Sequence, residues 1–482
     1  MKRILYILLF MVAAGFGLTA CSESYPSVDY HNESTIVNLE TPGEGRPVPL
    51  LVYVDRQSFF SLSSTRGAGH FDPIDNTSTD AEKDKYYKTP FYLFAFRDPK
   101  STSTTYSNPL LHSQPDLTYS LMATNGGKKD TEKLNCLVDG SNFYEGYKAF
   151  LDDKGGLELP NNPPFYYPNY QDVGFNFFAY SIDDAKAKGS TTAAQAQRTS
   201  TSIYYDIEID GTQDIICGYA PGITEADFAV GTGRYNRVEL AETEKRRILD
   251  IGNFCTYAAH RNIHPYLAMR HQLTRLEFIA YPGEKEADDV TIDQVIVYSS
   301  NTGRLTVADV DTSKVGYVPD AVASQSAMYP FKLHEGPQLD ANGEWKCSVM
   351  PEKTYRTNPW SDSYKDISIY QHGEPVKLGG EGSSIMLPES EEFLVKLVGT
   401  YTNPADPTNP KRYESVYRLK PAENEENKVS DGVYKFRSGR FYTIAVAVYG
   451  LKTVVVNSEI KAWEPGSSLE IDPDNPVGGG IY

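Results

Sequence analysis

His260, His264 and His271 come nearest to a catalytic or metal-binding spacing. On one helix, rings four and then seven residues apart would nearly align for a metal ion. Pro265 falls between them and breaks such a helix, and LAMRHQL after it alternates as a strand, so a strand histidine whose ring is held by neighbouring side chains is the reading. Asp472-Pro473-Asp474-Asn475 imitates the opening of a calcium loop but lacks the glycine and distal glutamate that complete one. The chain contains no G-x-S-x-G, H-E-x-x-H or phosphate-loop pattern. The carboxylate pairs Asp152-Asp153, Asp183-Asp184 and Asp288-Asp289 fall in loops, where charge is solvated. Cys136, Cys217, Cys255 and Cys347 form no C-x-x-C pair and have no histidine at zinc spacing. They allow three disulfide pairings that sequence does not rank, and a chain this long needs no staples, so buried free thiols are expected. No catalytic residue, metal site or cofactor is expected.

One cysteine does carry chemistry. Lys2 and Arg3 precede an apolar run from Ile4 to Val12, and small residues then lead to Leu18-Thr19-Ala20-Cys21. This is the plan of a secretory signal, residues 1–20, and its end resembles a bacterial lipobox, in which the Cys21 thiol takes the lipid. The alternative is an ordinary secretory signal that happens to end in Cys. No later stretch supplies roughly 18 consecutive apolar residues, so no transmembrane helix is expected in the mature protein.

The elements that must position any function are strands. The 482 residues include 35 Tyr and 21 Phe but only 7 Met and 3 Trp, a mix that suits pleated sheets better than helix bundles. The formal net charge of −18 argues against nucleic acid as a partner, because it leaves no basic surface to neutralise phosphates. From Val48 onward short runs such as VPLLVYV, SFFSLSS, FYLFAF, GFNFFAYS, SIYYDIEI, TRLEFIAY and FYTIAVAVYG are bounded by Gly, Pro, Asn or Asp. Their spacing predicts antiparallel sandwiches. One helix is expected within Val238 to His260, and loops over 97–116, 184–202 and 401–432. Two domains follow, 48–282 and 289–463, with Gly283-Glu284-Lys285-Glu286 as a polar joint and residues 464–482 as a flexible tail.

Several pieces, in order, resemble the fimbrillin (type V pilin) family, including its Mfa-like branch. They are Thr65-Arg66-Gly67, Phe91 to Phe96, Tyr166-Tyr167-Pro168, Phe175 to Tyr180, Gln213 to Ile216 with Gly218-Tyr219-Ala220, Met269 to Phe278, and Phe436 to Gly450 with the final strand to Ala462-Trp463. The resemblance implies an all-β fold of two transthyretin-like antiparallel β-sandwich domains in tandem, with long loops and at most one or two short helices. It also implies export as an outer-membrane lipoprotein at the cell surface, and removal of a pro-segment, residues 21–66, by an Arg-specific protease. Assembly into a fimbrium for cell adhesion then proceeds by strand exchange. The implied partners are other fimbrial subunits, self or accessory, the outer membrane through lipid on Cys21, and host or bacterial surface ligands.

Within that resemblance, Arg66 with Gly67 is the expected processing site. Arg46 precedes Pro47, Arg56 lies between two strand-like runs, and Gly67-Ala68-Gly69 is an open, flexible stretch. The alternative is that Thr65-Arg66-Gly67 is merely a turn. Phe441 to Val448 is apolar on both faces and is expected to be a central strand. Thr453 to Trp463 is the expected donor strand: Val454 and Val456 share a face, Lys452, Glu459, Ile460 and Ala462 break the pattern, and a flexible tail follows. The alternative is a last strand that closes its own sandwich. Two other readings remain open: an anchor or tip adhesin that does not polymerise, and a glycan-binding lipoprotein that stacks sugars on Trp345 and Trp360.

Overall fold

The computed structural model describes residues 48–55, 89–98, 136–138, 145–152, 156–158, 165–167, 171–182, 185–199, 201–282, 290–333, 376–379, 383–403, 406–449 and 453–460. Among these the fold is all-β, with two α-helices, Glu242–Ile251 and Thr256–Ala259, inside the stretch expected to be helical. The segment Glu225–Glu239 belongs to a compact unit separate from residues 41–224 and 240–482. It is a 3-10 turn, Glu225–Phe228, on whose Asp227 the Arg234 guanidinium closes as a fork.

The main body is built from two pairs of sheets. The largest runs in the order Tyr53–Val54, Tyr266–His271, Ile215–Tyr219, Phe175–Ile182, Phe91–Arg97, Tyr147–Leu151, Leu157–Glu158, with Cys136–Val138 also on Phe91–Arg97. Both of its faces are apolar because its central strands carry continuous aromatic runs rather than alternating ones. One face presents Phe94, Phe96, Phe178, Tyr180, Ile215 and Cys217 to a cluster shared with Ile203, Tyr205 and Ile207 of Ser202–Glu208 and Leu305 and Val307 of Thr302–Asp309. Those two strands pair antiparallel in a second sheet, edged by Gly316–Pro319 and Lys186–Ala187.

Val376–Lys377, Thr274–Pro282, Phe441–Tyr449 and Thr453–Ile460 form a third sheet. Opposite it lie Tyr329–Lys332, Val290–Ser299, Phe393–Asn403 and Asp406–Leu419. Leu276, Phe278, Tyr442 and Ile444 from one, and Val295, Val297, Val395 and Leu397 from the other, share the same core cluster. Phe441 through Val446 are all buried, as a strand apolar on both faces requires. Beneath them Arg275 is fully buried, its guanidinium 4.9 Å from the Phe441 ring centre and its Nε donating to Ser384 Oγ.

Three features depart from what local pattern suggests. Thr274–Pro282 runs parallel to Phe441–Tyr449, and Tyr53–Val54 parallel to Tyr266–Leu267, two parallel pairings among described strands that otherwise pair antiparallel. Thr274–Pro282, before the joint at 283–286, pairs with strands beyond it, and Thr302–Asp309 pairs back to Ser202–Glu208. Residues 401–432 are not a loop: Phe393–Asn403 and Asp406–Leu419 form a long hairpin, followed by Lys428–Ser430 and Val433–Tyr434. Lys, Arg, Glu, Asn and Pro there mimic loop composition because Asp406–Leu419 is an edge strand, where charge and proline protect a free edge. The 184–202 stretch likewise carries two short strands, Lys186–Ala187 and Gln197–Arg198.

Candidate functional site

Residues 48–55 are held on both edges. Val48, Leu50, Val52 and Val54 are buried while Pro49, Leu51, Tyr53 and Asp55 are less so, a strict period of two. On one side the Tyr53 and Asp55 amides donate to the Pro265 and Leu267 carbonyls, both at 2.9 Å. On the other, the Leu50 amide donates to Phe165, and the Val48 and Val52 carbonyls accept from the Tyr167 and Leu157 amides at 2.9 and 2.8 Å. Tyr53 also bridges to Gly156, which leads directly into Leu157–Glu158 at the far end of the large sheet's strand order. The segment therefore joins the two ends of that sheet and closes it into a ring.

The inside of the ring is a second core. Register places Leu267 beside Val54, Met269 beside Gly218, Ala179 beside Gly218, Leu93 beside Ala179, Ala149 beside Phe91 and Leu157 beside Leu151. These residues face away from the shared cluster and are nonetheless buried. Tyr167, Phe175, Phe177 and Phe254 add edge-to-face ring contacts at 5.9 to 6.4 Å. Tyr53 stacks on Tyr266 at 5.2 Å on the outside, and burial, then the nearby Asp152 carboxylate, raises its phenol pKa. Full burial of an aliphatic side chain contributes about 1.5–3 kcal/mol, so the four on this strand contribute on the order of 10 kcal/mol to closing the ring. Chemically the site is a slot for an extended chain: two sheet edges that supply backbone hydrogen bonds and a wall that takes four alternate aliphatic side chains.

Two guanidiniums sandwich the buried Tyr257 ring, Arg247 at 3.8 Å and Arg261 at 3.5 Å from its centre. Asp172 and Glu244 hold them in place, which fixes the helix Glu242–Ile251 against the chain on either side.

Of the residues singled out in the sequence, Cys21, Arg66, Gly67 and Trp463 lie outside the described residues, as do Arg46, Arg56, Trp345, Trp360 and the run SFFSLSS. Thr453, Val454, Val456 and Ile460 fall in Thr453–Ile460, which pairs antiparallel along its whole length with Phe441–Tyr449 and sits last in its sheet. His271 Nδ1 lies 2.9 Å from buried Asp214, while His260 and His264 are buried elsewhere, so the three rings do not converge. Among the described residues no group of three or more His, Cys, Asp or Glu could hold a metal ion. Cys217 and Cys255 are buried free thiols, and burial pushes the Cys255 thiol up to about 12. The walls of the slot, 156–157, 165–167 and 265–267, were not read as an acceptor: Tyr166-Tyr167-Pro168 entered only as a piece of the resemblance, and Pro265 and LAMRHQL only as a helix break and a strand. Their only local signal is the Pro265 break, since their pairing is entirely long-range.

No family model and no curated protein matches the chain. Solved structures similar to it include a candidate cell adhesion protein from Bacteroides ovatus, at 10% identity and TM-score 0.37 over 88% of this chain and 100% of that one. The fimbrial anchor protein Mfa2 from Porphyromonas gingivalis is similar at 12% identity and TM-score 0.30, over 87% and 100% of the two chains. The tip fimbrial protein Mfa3 from the same organism, truncated at its C-terminus, is similar at 8% identity and TM-score 0.27, over 87% and 100%.

Proposed function

We propose that this chain is a non-catalytic subunit of a cell-surface adhesive fimbrium, exported as an outer-membrane lipoprotein through Cys21 and assembled by strand exchange at the slot filled by residues 48–54. The observation that carries this reading is the doubly paired, alternately buried strand that closes the large sheet next to the start of the mature chain. A protease cut between that strand and Phe91 turns a tethered strand into a separate fragment and removes the high effective concentration that keeps it seated. The vacated slot exposes apolar wall and unpaired backbone groups, and a strand from another subunit restores both. Such a joint is heterologous and propagates a filament.

Arg66 is the basic residue that best suits this cut. Arg46 and Arg56 stand two residues before and one residue after a segment whose backbone is locked on both edges, while Arg66 is eleven residues beyond it. Thr453 to Trp463 is the proposed donor, because among the described residues Thr453–Ile460 comes last in its sheet and pairs along one edge. The test is N-terminal sequencing of protein taken from cells and from filaments, with palmitate-analogue labelling of the cell-bound form. Labelled chains that start at Cys21 and filament chains that start at Gly67 are expected. Filaments whose subunits still begin at Cys21 would refute the exchange.

A further inference from the structure

We infer that the slot is built to receive a strand from a different subunit and disfavours the C-terminal strand of a second copy of this chain; this rests on the strand-exchange reading above. The argument is one of side-chain pattern against register. The occupying strand presents Val48, Leu50, Val52 and Val54 to the wall, each at most 6% exposed. Any replacement must run parallel to Tyr266–His271 and carry aliphatic side chains at four alternate positions.

The Thr453–Ile460 strand has two alternate sets. One is Thr453, Val455, Asn457 and Glu459, which would put an amide and a carboxylate into an apolar wall. The other is Val454, Val456, Ser458 and Ile460, which matches the occupant at three positions and sets Ser458 where Val52 now sits. Shifting that set by two residues in either direction keeps Ser458 in the slot and, in one direction, adds Lys452.

The Val52 position is a poor place for a hydroxyl. Carried back one residue from Tyr53–Tyr266, the ladder aligns Val52 with Pro265 on one side, and the bridge to Gly156 aligns it with Leu157 on the other. Neither neighbouring side chain can accept or donate, and the backbone groups there are engaged, with the Pro265 carbonyl bonded to Tyr53 and the Leu157 amide to Val52. A buried hydroxyl without a partner, in a pocket shaped for a larger side chain, is penalised twice. A partner whose donor strand is aliphatic at all four positions escapes both penalties. On this account the chain links unlike subunits, accepting one kind of strand and offering another, instead of repeating along a uniform filament.

The test uses the chain from residue 21, cut between residues 56 and 88 by an Arg-specific protease and kept native. Excess synthetic peptide is added, and release of the N-terminal fragment is followed by size exclusion and mass spectrometry. A peptide of residues 47–56 is expected to displace the fragment. A peptide of residues 452–461 should need at least about tenfold more, and its Ser458→Val version should recover most of that gap. Equal potency of the 47–56 and 452–461 peptides overturns this inference and leaves strand exchange standing. Failure of every peptide, 47–56 included, overturns both. Independently of any cleavage, Val52→Ser in the intact chain should lower its melting temperature, and an unchanged melting temperature overturns the selectivity argument alone.

Discussion

Truncating Leu50 to Ala in the intact chain isolates the contribution of the closing strand. Leu50 is 6% exposed, its side chain lies on the inner face, and its amide is held by Phe165, so the backbone stays fixed and the truncation leaves a cavity. Such a change costs about 2–5 kcal/mol, which for a domain of this size lowers the melting temperature by roughly 5–15 °C. Leu51, next in sequence but on the opposite face and only partly buried, is the internal control, and its truncation should cost less than half as much. The two variants are identical to each other in composition and charge, so a difference between them reports the face that each residue occupies. Differential scanning calorimetry of the two variants beside the parent chain reads the effect. If Leu50→Ala melts within about 1 °C of the parent, or if the two variants are equally destabilised, residues 48–54 do not close the inner core and the reasoning fails.

Gly218 faces the Ala268 carbonyl oxygen so closely that a Cβ would sit 2.2 Å from it, with backbone on the blocking side, so Gly218→Ala should cost upwards of about 2 kcal/mol in chemical denaturation. The Cys255 thiol, lifted by burial from 9.0 to about 12, stays neutral in the fold while the unfolded chain ionises near 9. Its contribution is therefore complete below pH 9 and declines as pH rises from 9 toward 12. Cys255→Ala should flatten the alkaline fall in stability by up to about 1.4 kcal/mol per pH unit in urea titrations. The Tyr257–Arg261 contact at 3.5 Å should give a coupling energy of about 0.5–2 kcal/mol in a double-mutant cycle, and Arg261→Lys should lose most of it.

The strands that form the site were legible where side-chain pattern alone decides. VPLLVYV already alternates as it does in the slot, and FYTIAVAVYG reads as a strand buried on both faces, which Phe441 to Val446 are. What stayed hidden is pairing. Nothing local in Thr274–Pro282 announces a parallel partner more than 150 residues away in Phe441–Tyr449, and nothing in Gly156 or Phe165 announces Tyr53 or Leu50. Asp406–Leu419 was misread because an edge strand is selected for the charges and prolines that mark loops elsewhere. The same physics makes the slot invisible in sequence: an acceptor is defined by two edges from distant segments, whereas the strand that fills it is defined by its own period of two.

Hydrogen exchange at the Leu157 and Tyr167 amides tests the central claim most directly, since both donate to carbonyls of the closing strand. They should be protected in the uncut chain, lose protection once the chain is cut and the N-terminal fragment removed, and regain it in filaments that contain no residues 48–54. Amides that remain protected in isolated subunits stripped of the fragment, or filaments that retain residues 48–54 in the slot, would contradict the account.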